Sequence, residues 1–315
     1  MELMVNLSRT TRRGLAGVAA LTGLAVVVPA GAQAAPTNEA GTRPVPVVGK
    51  AAESGTDEHV HAEAPTAKAG YTGPSALKIV RYNKLYKTGP IPASRCKEVN
   101  VSMRTVAGVN KYATQVYKCL YAAWKPILAK AGARSTAAPK LHITTASTVN
   151  TRCGVQRMTR AFYCENNIYF PANQMVSLWK QNSTYARTYA TNTMAHEYGH
   201  HIQEQTGIMD ASWWRQRAMK TQSAKLEESR RRELQASCLG SAYIGANRRF
   251  YPMTGALYNQ WRWMVNNMGD AKGYPRDHGS FKNHGWWSEH GFYATSSTTT
   301  AARCNTYESA PARVS

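Results

Sequence analysis

The segment His196-Glu-Tyr-Gly-His200 places two imidazoles and a carboxylate where they can share one reaction. Histidines four apart on a helix are separated by about 400° of turn, so both rings leave one face roughly one turn apart. Ring nitrogens so placed can reach one tetrahedral metal at about 2.0–2.1 Å, the distance typical of zinc. Glu197 lies beside that face, positioned to take a proton from a water that the metal activates. The chemistry this predicts is zinc-assisted hydrolysis of a peptide bond. The bland alternative is a solvated helical face, and the context argues against it. Thr191, Met194, Ala195 and Tyr198 form a largely apolar stripe at helical spacing, and Gly207 is placed to end the helix after Gln205-Thr206. Gly199 costs about 1 kcal/mol in a helix interior, which predicts that another segment passes close there.

A catalytic zinc takes three protein ligands and keeps one position for water. An extension ending in a third histidine is absent, because His201-Ile-Gln-Glu-Gln-Thr206 follows the motif. A glutamate on the next helix is the remaining route, and Glu227, Glu228 and Glu233 are all there. The first two sit in the charged run from Lys225 to Arg230, whereas Glu233 opens a mostly apolar stretch reaching Tyr243. A carboxylate entering buried surface needs a cation partner. Zinc is one, which favours Glu233 as the ligand; Arg231 or Arg232 is the other.

Several elements must position these groups. Val106, Val109, Tyr112, Val116, Leu120 and Trp124 recur at helical spacing between Arg104 and Ala131, with Pro126 expected to bend or interrupt that helix. Lys140 to Thr144, Ala161 to Cys164 and Ile168 to Phe170 read as strands, the last two around Glu165-Asn166-Asn167. A second long helical pattern runs from about Trp213 to Ala246. Strands followed by a motif helix and a second, ligand-bearing helix make an α+β layout. The pairs Trp213-Trp214 and Trp286-Trp287 are expected in the core rather than as a carbohydrate platform.

Composition sets the limits. Arg9, Arg12 and Arg13, an apolar run from Leu15 to Val28 and Ala32-Gln33-Ala34 read as a signal peptide over residues 1–34, too short to span a bilayer comfortably. Arg12-Arg13 could also belong to a twin-arginine signal, though an ordinary basic start is preferred. Residues 35–75 are rich in Ala, Pro, Thr, Gly and Glu and read as a disordered linker or pro-segment. Within it His59 and His61 could plug a metal site, but a solvated stretch is the simpler reading. The domain is expected over 76–315. The chain carries a formal charge of +21, and the first 75 residues add nothing to it, so the whole excess lies on the domain. Such a domain should adsorb to anionic envelope polymers. Its basic residues are scattered, so no specific nucleic-acid reading is inferred. Six cysteines in an exported chain predict three bridges, and proximity suggests Cys96–Cys119, Cys153–Cys164 and Cys238–Cys304.

Three islands resemble the bacterial neutral zinc metallopeptidases with a gluzincin-like site: His196 to Gln203, Glu233-Leu-Gln-Ala-Ser-Cys238, and His278-Gly-Ser280 continuing to Trp287 and Gly291-Phe292. Tyr163-Cys164 before Ile168-Tyr169 is a weaker match. The resemblance covers about residues 161–292, with no specific match before Lys140. It implies a secreted peptidase with a zincin-like fold, acting on protein or peptide substrates. It implies one Zn2+ per chain held by His196, His200 and Glu233, and Glu197 as general base. An edge strand around Ile168 to Phe170 would align an extended substrate. Ser237 departs from the family's Asp, which is expected to hold a ligating histidine's other N–H. His278 is a candidate donor to the developing oxyanion, beside the structural reading in which Ser280 caps a helix. Ser237 also keeps a second hypothesis open, a non-catalytic zinc-stabilised binding protein on the cell envelope.

Overall fold

The computed structural model describes residues 75–315 apart from 252, 272, 274 and 297–299. The leader, and the linker with His59 and His61, therefore lie outside the described residues but for Ser75. The elements are α1 (Ala76–Arg81), α2 (Val106–Ala131), β1 (Lys140–Thr144), β2 (Thr148–Thr151), β3 (Gly154–Arg157), β4 (Phe162–Cys164), β5 (Asn167–Pro171), α3 (Ala172–Gln181), α4 (Ser183–Gln205), α5 (Ile208–Ala218), α6 (Gln222–Asn247), α7 (Gly255–Val265) and α8 (Phe281–Phe292), with short 3-10 turns towards the C-terminus. The fold is helix-dominated α+β with a small sheet. No described helix is long and apolar enough to cross a membrane.

Helix α2 begins where Thr105 caps the Gly108 N–H and ends at Gly132 in the left-handed conformation. It buries Val109, Tyr112, Val116, Leu120, Trp124, Ile127 and Leu128. Of the two outcomes expected at Pro126, a bend or a break, the break does not occur. Pro126 is exposed, so the carbonyl it leaves without a donor can be hydrated, while Trp124, Ile127 and Leu128 anchor both sides.

The three-stranded sheet has the order β1-β5-β4, with β1 parallel and β4 antiparallel to β5. This corrects the strand reading: Ile168 to Phe170 form the central strand, not an edge. Ile168 is flanked by Leu141 on one side and Tyr163 on the other, so its backbone has no open side to offer a peptide. The tight β4–β5 turn puts Glu165 and Asn166 at φ 39° and 60°, the two positive values that a two-residue hairpin turn of this hand requires. A separate β2–β3 hairpin is tied to β4 by Cys153–Cys164.

Helix α4 starts under an Asn182 cap, and Gly207 at φ 77° follows its end as expected. The helical pattern from Trp213 onward is two helices, not one. Met219 is extended and Thr221 caps the Ala224 N–H, so α5 stops and α6 starts afresh. Helices α4 and α6 cross at very close range. A Cβ on Gly199 would lie 2.6 Å from the Ala236 oxygen, and one on Gly240 would lie 2.7 Å from the Ala195 backbone. Gly199 therefore trades helix propensity for contact, as the sequence predicted. Helix α8 covers the other side of α6. All three expected disulfides are present, each restricting the unfolded chain by about 3–4 kcal/mol in a chain-entropy treatment. Of the tryptophan pairs only Trp287 is fully core; Trp213, Trp214 and Trp286 are half-buried.

Candidate metal centre

The α4–α6 crossing sets the site. His196 and His200 leave one face of α4 with their Nε2 atoms 3.1 Å apart. From α6, Glu233 Oε2 lies 3.4 Å from His196 Nε2 and 3.2 Å from His200 Nε2. Three atoms bound tetrahedrally at about 2.0–2.1 Å would be separated by about 3.3–3.4 Å, so the triangle is close to the right size for zinc. His200 and Glu233 are buried, and His196 is the most open of the three. The other candidates are otherwise engaged: Glu227 pairs with Arg231 at 2.7 Å and Glu228 with Arg215 at 3.0 Å. Arg232 is engaged elsewhere: it stacks 4.1 Å over Trp213 and bonds Ser212 and Gln216.

The outer nitrogens of both histidines are also occupied. His200 Nδ1 lies 2.9 Å from Gln203 Oε1. The Gln203 amide nitrogen donates to the Arg232 carbonyl at 2.8 Å and to Gln235 Oε1 at 3.0 Å. Gln235 is oriented in turn, since its nitrogen donates to the Cys304 carbonyl. Backbone carbonyls only accept, so this chain has one direction: Gln203 Oε1 accepts, His200 carries a proton on Nδ1, and in the neutral ring Nε2 keeps a lone pair. His196 Nδ1 meets Ser237 Oγ at 3.0 Å. Ser237 thus occupies the outer-ligand place expected of the family's Asp. Two imidazole lone pairs and one carboxylate converging on a point are the donor chemistry of a zinc site.

Glu197 is buried, and its Oε2 has no hydrogen-bond partner among the described residues. Burial raises its carboxyl to about 8, with Glu233 adding to the rise; His200, Arg160 and the Tyr163 backbone N–H pull the other way. Strand β4 therefore comes to the site by its outward edge. His278 stands on the loop before α8. Asp270 Oδ2 accepts from the backbone N–H groups of His278 and Gly279 at 2.9 and 2.6 Å. His278 Nδ1 lies 2.7 Å from Asp277. Burial lowers this imidazole, but Asp270 and Asp277 outweigh it and hold it up at about 10, with Glu233 contributing through space. Ser280 also caps α8 through the Asn283 N–H, so the capping role and a charged His278 coexist.

Sequence reasoning missed four groups here. Arg160 is half-buried and feels Glu197, Glu233 and Asp277, yet it lies in a turn with no motif around it. Gln203 was visible one turn beyond His200. Asp270 comes from a segment with no local signal, and His284 lies inside the His278–Trp287 island without having been singled out.

The family model for zinc peptidases, described as "Putative neutral zinc metallopeptidase", matches residues 83–251. It therefore includes α2, which the resemblance by motif had left out, and it ends before the His278–Phe292 island. No curated protein and no solved structure matches the chain. The match spans more than half the chain and contains both histidines and Glu233: the chain belongs to the neutral zinc metallopeptidase family.

Proposed function

We propose that the chain is an exported zinc-dependent endopeptidase with a zincin-type site, in which His196, His200 and Glu233 hold one zinc. The observation that carries this reading is the convergence of two lone-pair-bearing Nε2 atoms and a buried carboxylate, with the outer nitrogens committed elsewhere. Zinc held there would acidify water, polarise the scissile carbonyl and lower the Glu197 carboxyl from about 8 towards neutrality. Glu197 takes a proton from the attacking water as the water oxygen bonds the carbonyl carbon. It then gives that proton to the amine nitrogen as the C–N bond breaks. His278, kept cationic by Asp270 and Asp277, donates to the carbonyl oxygen as negative charge grows on it. The three disulfides and the signal-like leader support export.

The test is Glu197→Gln. Cleavage of an unfolded protein should fall by about 10²–10⁴ while bound zinc is unchanged. Loss of zinc in that variant would contradict the base assignment. The envelope-binding reading retains only the +21 charge as support, since Ser237 does meet His196. Salt-sensitive adsorption without chelator-sensitive cleavage would move it ahead.

A further inference from the structure

The Ser237 contact has a continuation that no motif records. Ser237 Oγ lies 3.0 Å from His196 Nδ1 and 3.2 Å from His284 Nε2, and His284 Nδ1 lies 2.7 Å from the Val265 carbonyl oxygen. All three side chains are shielded: Ser237 and His284 are 6% and 7% exposed, and the His196 side chain 16%. Only one proton arrangement satisfies this row if His284 is neutral. The Val265 carbonyl can only accept, so His284 carries its hydrogen on Nδ1 and its Nε2 is an acceptor. Ser237 must then donate its hydroxyl hydrogen to His284 Nε2. Its oxygen lone pairs face His196, whose Nδ1 must donate, and His196 Nε2 is left bare towards Glu233 and His200.

We infer that His284 is a positioning residue for the metal centre: with Ser237 it does the work of the absent carboxylate, fixing the tautomer in which His196 offers Nε2. A serine alone cannot do this. Its hydroxyl can donate or accept, so it would accommodate either tautomer of His196, whereas a carboxylate only accepts. The neutral His284 removes the ambiguity by consuming the hydroxyl hydrogen. Neutrality is consistent with its surroundings. Burial pulls its imidazole down to about 4, and the neighbouring His196 and His278 act in the same direction, against the Val265 carbonyl and Asp270. The inference rests on the zinc-site reading, but the proton arrangement can be measured without zinc.

His284→Phe keeps bulk and removes both nitrogens. Zinc affinity, measured by competition with a chromogenic chelator, should fall about 10–100-fold, the usual cost of losing an outer-ligand partner. Adding Ser237→Asp in the same chain should restore it, because a carboxylate orients His196 without help. A merely structural role for His284 predicts no such rescue. If His284→Phe does not fold, the wild-type metal-free chain still decides the matter through long-range ¹H–¹⁵N spectra of its imidazoles. His284 should appear as the Nδ1–H form and His196 likewise. Either ring in the Nε2–H form would overturn the proposal, as would unchanged zinc affinity in folded His284→Phe or a failure of Ser237→Asp to rescue it. A wild-type chain that binds no zinc would remove the zinc-site reading, and the inference with it, whatever the spectra show.

Discussion

Two clusters among the described residues carry metal-type side chains: His196, His200 and Glu233 at the α4–α6 crossing, and Asp270, Asp277 and His278 before α8. In both, the potential ligand atoms lie within 4.8 Å of one another. The difference lies in where the histidine nitrogens point. In the first cluster each Nδ1 is committed to a neutral side chain, Ser237 or Gln203, so two lone pairs and a carboxylate meet at one place. In the second, Nδ1 of His278 is aimed at the carboxylates themselves, and Asp270 Oδ2 is already taken by two backbone N–H groups. On the proposed reading the first arrangement takes its cation from outside, whereas the second supplies its own as an imidazolium. Grouping of residue types therefore does not define a metal site, and the partners of the second nitrogens do.

The sharpest way to break this contrast is at the reacting centre. Beyond the Glu197→Gln variant, His278→Ala should lower kcat by about 10² with little change in KM and no loss of zinc, the range found when one oxyanion donor is removed. A His278→Ala chain that lost zinc would make the second cluster part of the metal site. A smaller effect sharpens the same point. Asp277→Asn removes the closest carboxylate from His278, so its imidazolium should deprotonate below about 10. The alkaline limb of kcat should then move to lower pH, while the wild type shows no His278 titration between pH 7 and 9. An unmoved limb would detach His278 from turnover.

The smallest expected effect concerns stability. His284 is held at about 4 in the folded chain against 6.5 ordinarily, so between those values the unfolded chain binds more protons. Its contribution is fully present above pH 6.5 and lost as pH falls through 4, on the order of 1–3 kcal/mol. In metal-free chains, urea midpoints for His284→Phe should decline less steeply than wild type over that window. A parallel decline would show that His284 is not buried neutral.

Much of the first cluster was legible in sequence, and its reasons are local. The HExxH spacing puts both rings on one helical face, and Gly199 announced the α6 crossing. Glu233 stood out from Glu227 and Glu228 because its neighbours are apolar, and the fold explains the choice, since arginines already hold the other two. The disulfides followed from proximity. What failed was non-local. The resemblance implied an edge strand at β5, and a period-two pattern, which marks a strand but not its neighbours, could not correct it; β1 and β4 flank it. No proline or glycine marks the α5–α6 break; Thr221 was its only sign. Asp270 braces the His278 loop from eight and nine positions away, and His284 reaches Ser237 across 47, where no spacing rule operates.

The most direct test is zinc content measured side by side in wild type, Glu233→Ala and Asp270→Asn, each confirmed to be folded. The account predicts one zinc per chain in wild type and in Asp270→Asn, and loss of it in Glu233→Ala. Zinc retained by Glu233→Ala and lost from Asp270→Asn would assign the metal to the wrong cluster and contradict the account.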